Sequence, residues 1–290
     1  MSTKKKLQNQ QSELQIVRKE QSEIKTNAYN DINLKQWRDY DHIETGTLWN
    51  FTTREKNNRH SYDYHGNYIP QIASQLYERY TKKYDIVLDM FLGSGTSAIE
   101  AVNMERRCIG VELKKDLCDY VDKKFTKKEK SKSVKIINGD SASDTIVSHI
   151  NATLAGLEEE KAQFLILHPP YADIIKFSED EKDLSNCKSI NSFLCKFERV
   201  AQKGYDCLEK GRYAALIIGD KYEDGELTPL SFLCMQKMNK IGFKTKSIIV
   251  KNIEGNVKGK GKDVNLWRYR ALAGGFFIFK HEYIILFQKK

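Results

Sequence analysis

The feature that most constrains this chain is Phe164-Leu165-Ile166-Leu167-His168-Pro169-Pro170-Tyr171. Four apolar residues in succession read as a strand buried on both faces, as at the centre of a parallel sheet. Two prolines then stop it, because proline has no N–H to give to a ladder and fixes φ. A polar side chain, a carbonyl oxygen and an aromatic ring are thereby held at the carboxyl end of a central strand. In open α/β sheets ligands bind at that edge. Taken alone, the segment also fits an ordinary strand that ends in a proline turn.

The upstream sequence supplies a companion. Asp85-Ile86-Val87-Leu88-Asp89 is a short buried strand that runs into Met90-Phe91-Leu92-Gly93-Ser94-Gly95-Thr96. A helix through Ala98, Ile99, Ala101 and Val102 follows, then a second strand, Cys108 to Val111, that closes on Glu112. Strand, glycine loop, helix and strand make a right-handed parallel crossover. A third strand, Val134 to Ile137, closes on Asp140, so Asp89, Glu112 and Asp140 mark three strand ends along one crevice. The tight Gly93-x-Gly95 turn brings backbone close to a ligand, and Glu112 stands where a carboxylate accepts from ribose hydroxyls. A dinucleotide fingerprint would need a third glycine at Ala98, so a nucleoside cofactor without a pyrophosphate fits better. S-adenosylmethionine is such a cofactor. A plain helix-capping turn remains the alternative for the glycines.

Further elements alternate in the same way. A helix is expected over Tyr68 to Tyr80 with Pro70 in its first turn, and another from Pro229 to Lys240. Strands are expected at Tyr213 to Ile218 and Thr245 to Val250, with Phe276 to Phe279 and Tyr283 to Phe287 as a hairpin on the sheet edge. This alternation predicts an α/β fold around one core. Residues 1–33 are polar and basic with few apolar anchors and predict a mobile tail; 34–290 form a single domain.

Composition narrows the function classes. With 40% hydrophobic residues the chain can bury a sizeable core, and no apolar run reaches the length of a membrane span. The six cysteines contain no C-x-x-C pair, so the expectation is a cytoplasmic protein with reduced thiols and no structural metal. The net charge of +9 suits a polyanionic partner. Nine Lys or Arg face three acids from Lys251 onward. There Lys258, Lys260 and Lys262 alternate with glycine, and Trp267-Arg268-Tyr269-Arg270 crowds aromatics with cations. Such a loop fits phosphate and base contacts, or a solvated connector.

With both motifs in view, the sequence resembles the amino-group DNA methyltransferases, which modify adenine N6 or cytosine N4. Phe91-Leu92-Gly93-Ser94-Gly95-Thr96 matches their Phe-x-Gly-x-Gly-Thr cofactor motif. His168-Pro169-Pro170-Tyr171 matches their Asp/Asn/Ser-Pro-Pro-Tyr catalytic motif except at its first position. Phe279 to Phe287 looks like their C-terminal strand, and the resemblance runs from Trp37 to Lys289. The closer likeness is to a smaller branch with His-Pro-Pro-Tyr followed by Asp-Ile-Ile-Lys-Phe-Ser, here Asp173 to Ser178.

The resemblance implies a Rossmann-like S-adenosylmethionine-dependent methyltransferase with a mostly parallel seven-stranded sheet and a C-terminal antiparallel hairpin. It implies that Asp89, Phe91, Gly93, Ser94, Gly95 and Thr96 hold the methionine end of the cofactor, Glu112 its ribose and Asp140 its adenine. His65, Tyr68 and Pro70 lie where the family's first motif also meets the methionine end. His168 and the Pro169 carbonyl would accept hydrogen bonds from the target amino group, Pro170 would stiffen that carbonyl, and Tyr171 would stack on a base flipped from duplex DNA. Loops near 179–210 and 252–270 would contact DNA, Lys258, Lys260, Lys262, Trp267, Arg268 and Arg270 among them. The implied setting is restriction–modification, where a homodimer and a restriction endonuclease encoded alongside are further partners to expect. Histidine at 168 removes the usual guide to the base, and adenine is favoured over cytosine on its frequency in the family. An RNA methyltransferase and an inactive cofactor-binding module stay open as rivals.

Overall fold

The computed structural model describes residues 28–55, 59–60, 66–253 and 264–290. In chain order the strands and α-helices are β1 (Leu48–Trp49), α1 (Pro70–Tyr80), β2 (Ile86–Asp89), α2 (Thr96–Asn103) and β3 (Arg107–Glu112). Next come α3 (Lys115–Asp122), α4 (Lys127–Lys132), β4 (Val134–Asn138), α5 (Ile146–Gly156) and β5 (Ala162–Leu167). The chain continues through α6 (Ile190–Cys207), β6 (Leu208–Ile218), β7 (Lys221–Glu223), β8 (Glu226–Thr228) and α7 (Leu230–Ile241). It then adds β9 (Phe243–Asn252), α8 (Val264–Gly274) and β10 (His281–Lys289).

The main sheet runs β1-β9-β10-β6-β5-β2-β3-β4, and β7 and β8 form a separate hairpin. Every neighbouring pair in the main sheet is parallel except those that β10 makes with β9 and β6. The expected seven strands are therefore present, with the two-residue β1 added along the outer side of β9. β2 and β5 lie side by side and every residue of both is buried, which is why residues 86–88 and 164–167 read as unbroken apolar runs.

Alternation along β5 divides two cores. Leu165 and Leu167 pack with Ile150, Phe193, Phe197 and Met238 from α5, α6 and α7, while Phe164 and Ile166 pack with Ile72, Tyr77, Ile99 and Val121 from α1, α2 and α3. The result is a three-layer α/β/α arrangement.

The structure corrects the sequence reading in four places. The antiparallel pair is not at the sheet edge, because β10 inserts between β9 and β6. Phe276 to Phe279 is not a strand. The first β9–β10 pair is Asn252 with His281, so those residues run beyond the ladder, and Phe277 is 92% exposed. The segment 179–210 is only in part a loop. Ser189 caps α6 with its side chain on the Ser192 N–H, and Phe193, Phe197, Val200 and Ala201 bury one face of that helix. Ordered packing also starts ahead of Leu34, since the buried Asn30 side chain donates to the Arg79 carbonyl at 2.8 Å.

Candidate active site

The glycine loop and the proline motif leave adjacent strands at the same height. Asp89 pairs with Ile166 in the ladder, and the Met90 N–H reaches the Ile166 carbonyl at 3.3 Å. His168, two residues after Ile166, therefore leaves β5 at the level where the glycine loop begins at Met90 and Phe91.

The loop is held from within. Asp89 is 1% exposed; its Oδ1 accepts the Phe91 N–H at 2.8 Å and its Oδ2 accepts the Ser97 hydroxyl. Burial pushes this carboxyl up to about 6. Gly95 has φ 87°, and a Cβ there would meet Val121 Cγ1 at 2.7 Å, so both backbone and space require glycine. The Gly93 N–H is given to Glu112 Oε2 at 2.9 Å and the Gly95 N–H to the Leu92 carbonyl at 3.0 Å. With those donors already used, the loop is a poor cradle for a pyrophosphate. Ser94 is buried and donates to the Asn67 side chain, which ties the loop to the approach to α1; Thr96 is buried at the start of α2. Phe91 is half-buried beside them.

Glu112 closes β3 and Asp140 follows β4, the neighbouring strand. Each oxygen of Glu112 accepts one backbone N–H, from Gly93 and from Lys114, both at 2.9 Å. A carboxylate oxygen has a second lone pair, so two further donors can be received. Burial pushes the Glu112 carboxyl up to about 7 against the pull of those amides. Asp140 is half-buried, and its Oδ1 accepts the Ala142 N–H at 2.8 Å. Two half-buried acids at successive strand ends, beside a loop without free glycine amides, fit the hydroxyls and amino group of a nucleoside better than a phosphate.

Past β5, Pro169 is buried and His168, Pro170 and Tyr171 are half-buried. Ala172 takes a left-handed φ of 50°, so the turn after the motif is strained. Tyr68, buried just ahead of α1, packs edge-on against the His168 ring at 5.2 Å between centroids, and Pro70 opens the helix. Burial lowers the His168 pKa to about 4, with Lys251 helping and Glu282 opposing. The ring is neutral at pH 7.

Sequence reasoning missed three residues here. Tyr171 donates its hydroxyl to Glu282 Oε2 at 2.9 Å, and Glu282 Oε1 holds the Lys251 ammonium at 3.1 Å. Gly219, at the end of β6, lets the tyrosine ring lie close, since a Cβ there would stand 3.0 Å from its Cε2. A clue to Glu282 was present in β10. Glu282 alternates with Ile284 and Leu286, which face the core, so a charge occupies an apolar register position.

His65, Lys258, Lys260 and Lys262 lie outside the described residues. Trp267, Arg268 and Arg270 fall on α8, not on a loop; the Arg270 guanidinium covers the Trp267 ring at 5.1 Å, and Arg268 is exposed. Among the described residues, no group of three or more His, Cys, Asp or Glu is placed to hold a metal ion, and no helix is long and apolar enough to cross a membrane. All six cysteines are unpaired.

A glycine-loop crevice and a proline motif leave neighbouring central strands of a mostly parallel sheet with one inserted antiparallel strand, which is a Rossmann-like α/β architecture of the kind that S-adenosylmethionine-dependent methyltransferases have. Residues 1–123 match the N6_N4_Mtase family model, described as DNA methylase. A curated relative, the Type II methyltransferase M.MjaII of Methanocaldococcus jannaschii, is 31% identical over 74 residues. That match covers 26% of this chain and 14% of the relative. TrmN from Thermus thermophilus is similar with a TM-score of 0.49 and 13% identity over 78% of this chain and 50% of that one. A methyltransferase from Pyrococcus furiosus has a TM-score of 0.46 and 12% identity over 81% and 87%. At these scores the two likenesses bear on no residue and no substrate.

Proposed function

We propose that this protein methylates an exocyclic base amino group in duplex DNA, adenine N6 before cytosine N4, as the modifying half of a restriction–modification pair. The observation that carries this reading is the register of β2 and β5, which sets His168-Pro169-Pro170-Tyr171 directly beside the glycine loop. When bound, S-adenosylmethionine supplies a methyl group activated by its sulfonium. Glu112 receives the ribose hydroxyls and Asp140 the adenine amino group, while Asp89 and Ser94 brace the loop against the methionine end together with Tyr68.

The base amino group is a poor nucleophile because its lone pair is delocalised into the ring. The Pro169 carbonyl, fixed by Pro170, accepts one of its N–H bonds. His168, neutral at pH 7, accepts the other, which draws the nitrogen toward a tetrahedral and more nucleophilic state. Tyr171 offers its ring to the flipped base while Glu282 and Gly219 hold that ring in place. α8, with Tyr269 70% and Leu272 72% exposed beside Arg268 and Arg270, lies between β9 and β10 in sequence and supplies stacking groups and cations on the catalytic edge. The basic stretch with Lys258, Lys260 and Lys262 adds phosphate contacts.

The test is transfer of labelled methyl from S-adenosylmethionine to duplex DNA and, in parallel, to structured RNA, with the modified base identified by mass spectrometry. Label in N6-methyladenine or N4-methylcytosine of DNA supports the reading. Label confined to RNA, or to ring carbons, overturns it.

A further inference from the structure

His168 has two ring nitrogens, and the reading above needs one of them bare and aimed at the substrate. The protein around the ring decides which. Period-two alternation puts His168 on the same face of the sheet as Ile166, and Lys251 and Glu282 share that face with Ile249, Ile284 and Leu286. Lys251 and Glu282 are cross-strand partners in the β9–β10 register, and β1 covers the outer side, with Trp49 paired to Lys251. Both charged residues are almost fully buried, at 5% and 7% exposure. Buried charges are costly unless paired and hydrogen-bonded, so a lysine and a glutamate kept in an apolar face call for a purpose.

The hydrogen bonds run in one direction. Lys251 Nζ can only donate, and it donates to Glu282 Oε1 at 3.1 Å. The Glu282 carboxylate can only accept, so the single proton of the Tyr171 hydroxyl goes to Glu282 Oε2 at 2.9 Å. The tyrosine oxygen then has only lone pairs to offer to His168 Nε2, which stands 3.3 Å away. Nε2 must therefore carry the ring proton and Nδ1 must be bare. Nδ1 is as many bonds from the backbone as Oδ1 of an aspartate or asparagine. An acceptor at Nδ1 thus sits where a shorter acidic or amide side chain would put one.

We propose that Lys251 and Glu282 are positioning residues that act through the Tyr171 hydroxyl to hold His168 as its Nε2–H tautomer, leaving Nδ1 as the acceptor for the target amino group. The inference rests on the amino-methyltransferase reading for the use of Nδ1, but the tautomer itself is a property of the protein alone. The chain of donors ties the catalytic motif of β5 to two strands on the far side of β6.

Nitrogen NMR of the full-length protein labelled at histidine reads the tautomer without any nucleic acid. The His168 signal is identified by its loss in His168→Asn. The wild type should show protonated Nε2 and bare Nδ1. In Lys251→Met/Glu282→Leu the ion pair is replaced by apolar groups of similar size, which keeps the fold. The freed Tyr171 hydroxyl then donates to Nε2, and the tautomer should invert to Nδ1–H. Methyl transfer should fall at least tenfold while S-adenosylmethionine affinity stays within twofold. Adding Tyr171→Phe to that variant removes the competing donor and should return the ring to Nε2–H. His168→Asn should keep more of the transfer rate than His168→Ala, because its Oδ1 occupies the Nδ1 position.

An unchanged tautomer in Lys251→Met/Glu282→Leu, or protonated Nδ1 in the wild type, overturns the proposal. Failure of the functional reading is separate. It would appear as wild-type protein that methylates no DNA while the tautomer still inverts in the variant.

Discussion

At the scale of single residues, two titrations set the working pH. His168 accepts only when neutral, and its pKa is lowered to about 4 by burial. With DNA bound and S-adenosylmethionine kept saturating at every pH, single-turnover methyl transfer should therefore stay level down through pH 6.5, where a free histidine would already be half protonated, and fall only as pH approaches about 4. An acid limb centred near 6.5 would place the working histidine in water. Glu112 is shifted the other way, although it too works deprotonated. Its folded-state pKa is raised to about 7, so in the proposed role the ribose hydroxyls would meet a carboxyl that is protonated below that pH. Cofactor affinity should rise roughly tenfold per unit as pH climbs toward 7 and level off above it, with net proton release on binding. Calorimetric titration in buffers of different ionisation enthalpy measures both. In the ligand-free protein the raised pKa contributes stability that is complete below the ordinary value of 4.5 and is lost as pH rises through about 7. Glu112→Ala should weaken S-adenosylmethionine binding at least tenfold with the fold intact, since charge-assisted bonds in such a site contribute about 1.5–3 kcal/mol.

At the scale of elements, the ion pair between β9 and β10 gives a clean stability test. Glu282→Gln strands the Lys251 ammonium in an apolar face and should cost about 3–5 kcal/mol, whereas Lys251→Met/Glu282→Leu should be near neutral. Urea unfolding of the three proteins measures the difference, and equal losses in both variants would mean that the pair is solvated. The same elements explain what was legible beforehand. β2 and β5 were plain in the sequence because burial on both faces leaves an uninterrupted apolar run, and proline or glycine punctuates each end. α6 was not, because its apolar residues are spread at helical spacing among Lys196, Glu198, Arg199, Gln202 and Lys203, and composition alone resembles a polar loop. Lys251 and Glu282 could not be joined by reading along the chain. They meet only through the β9–β10 register, and register is a tertiary fact.

At the scale of the whole molecule, charge and topology matter most. The net charge of +9 predicts DNA binding that weakens steeply with salt. Replacing Lys258, Lys260 and Lys262 with alanine should flatten that salt dependence and leave cofactor affinity alone. A fluorescence titration across salt concentrations reads the slope, and an unchanged slope in the triple variant removes those lysines from the interface. The position of β10 has a different kind of consequence, one of timing. β6 and β9 are both made before β10, yet each has a ladder face that only β10 fills. A growing chain thus carries Ala214-Ala215-Leu216-Ile217-Ile218 with one open edge, a template for pairing with another nascent chain, until β10 is synthesised and inserted. The same insertion delivers Glu282, the acceptor for Tyr171. A ribosome-bound intermediate can therefore assemble its cofactor crevice from β2, β3 and β4 while its histidine is still unset, so that binding matures before chemistry.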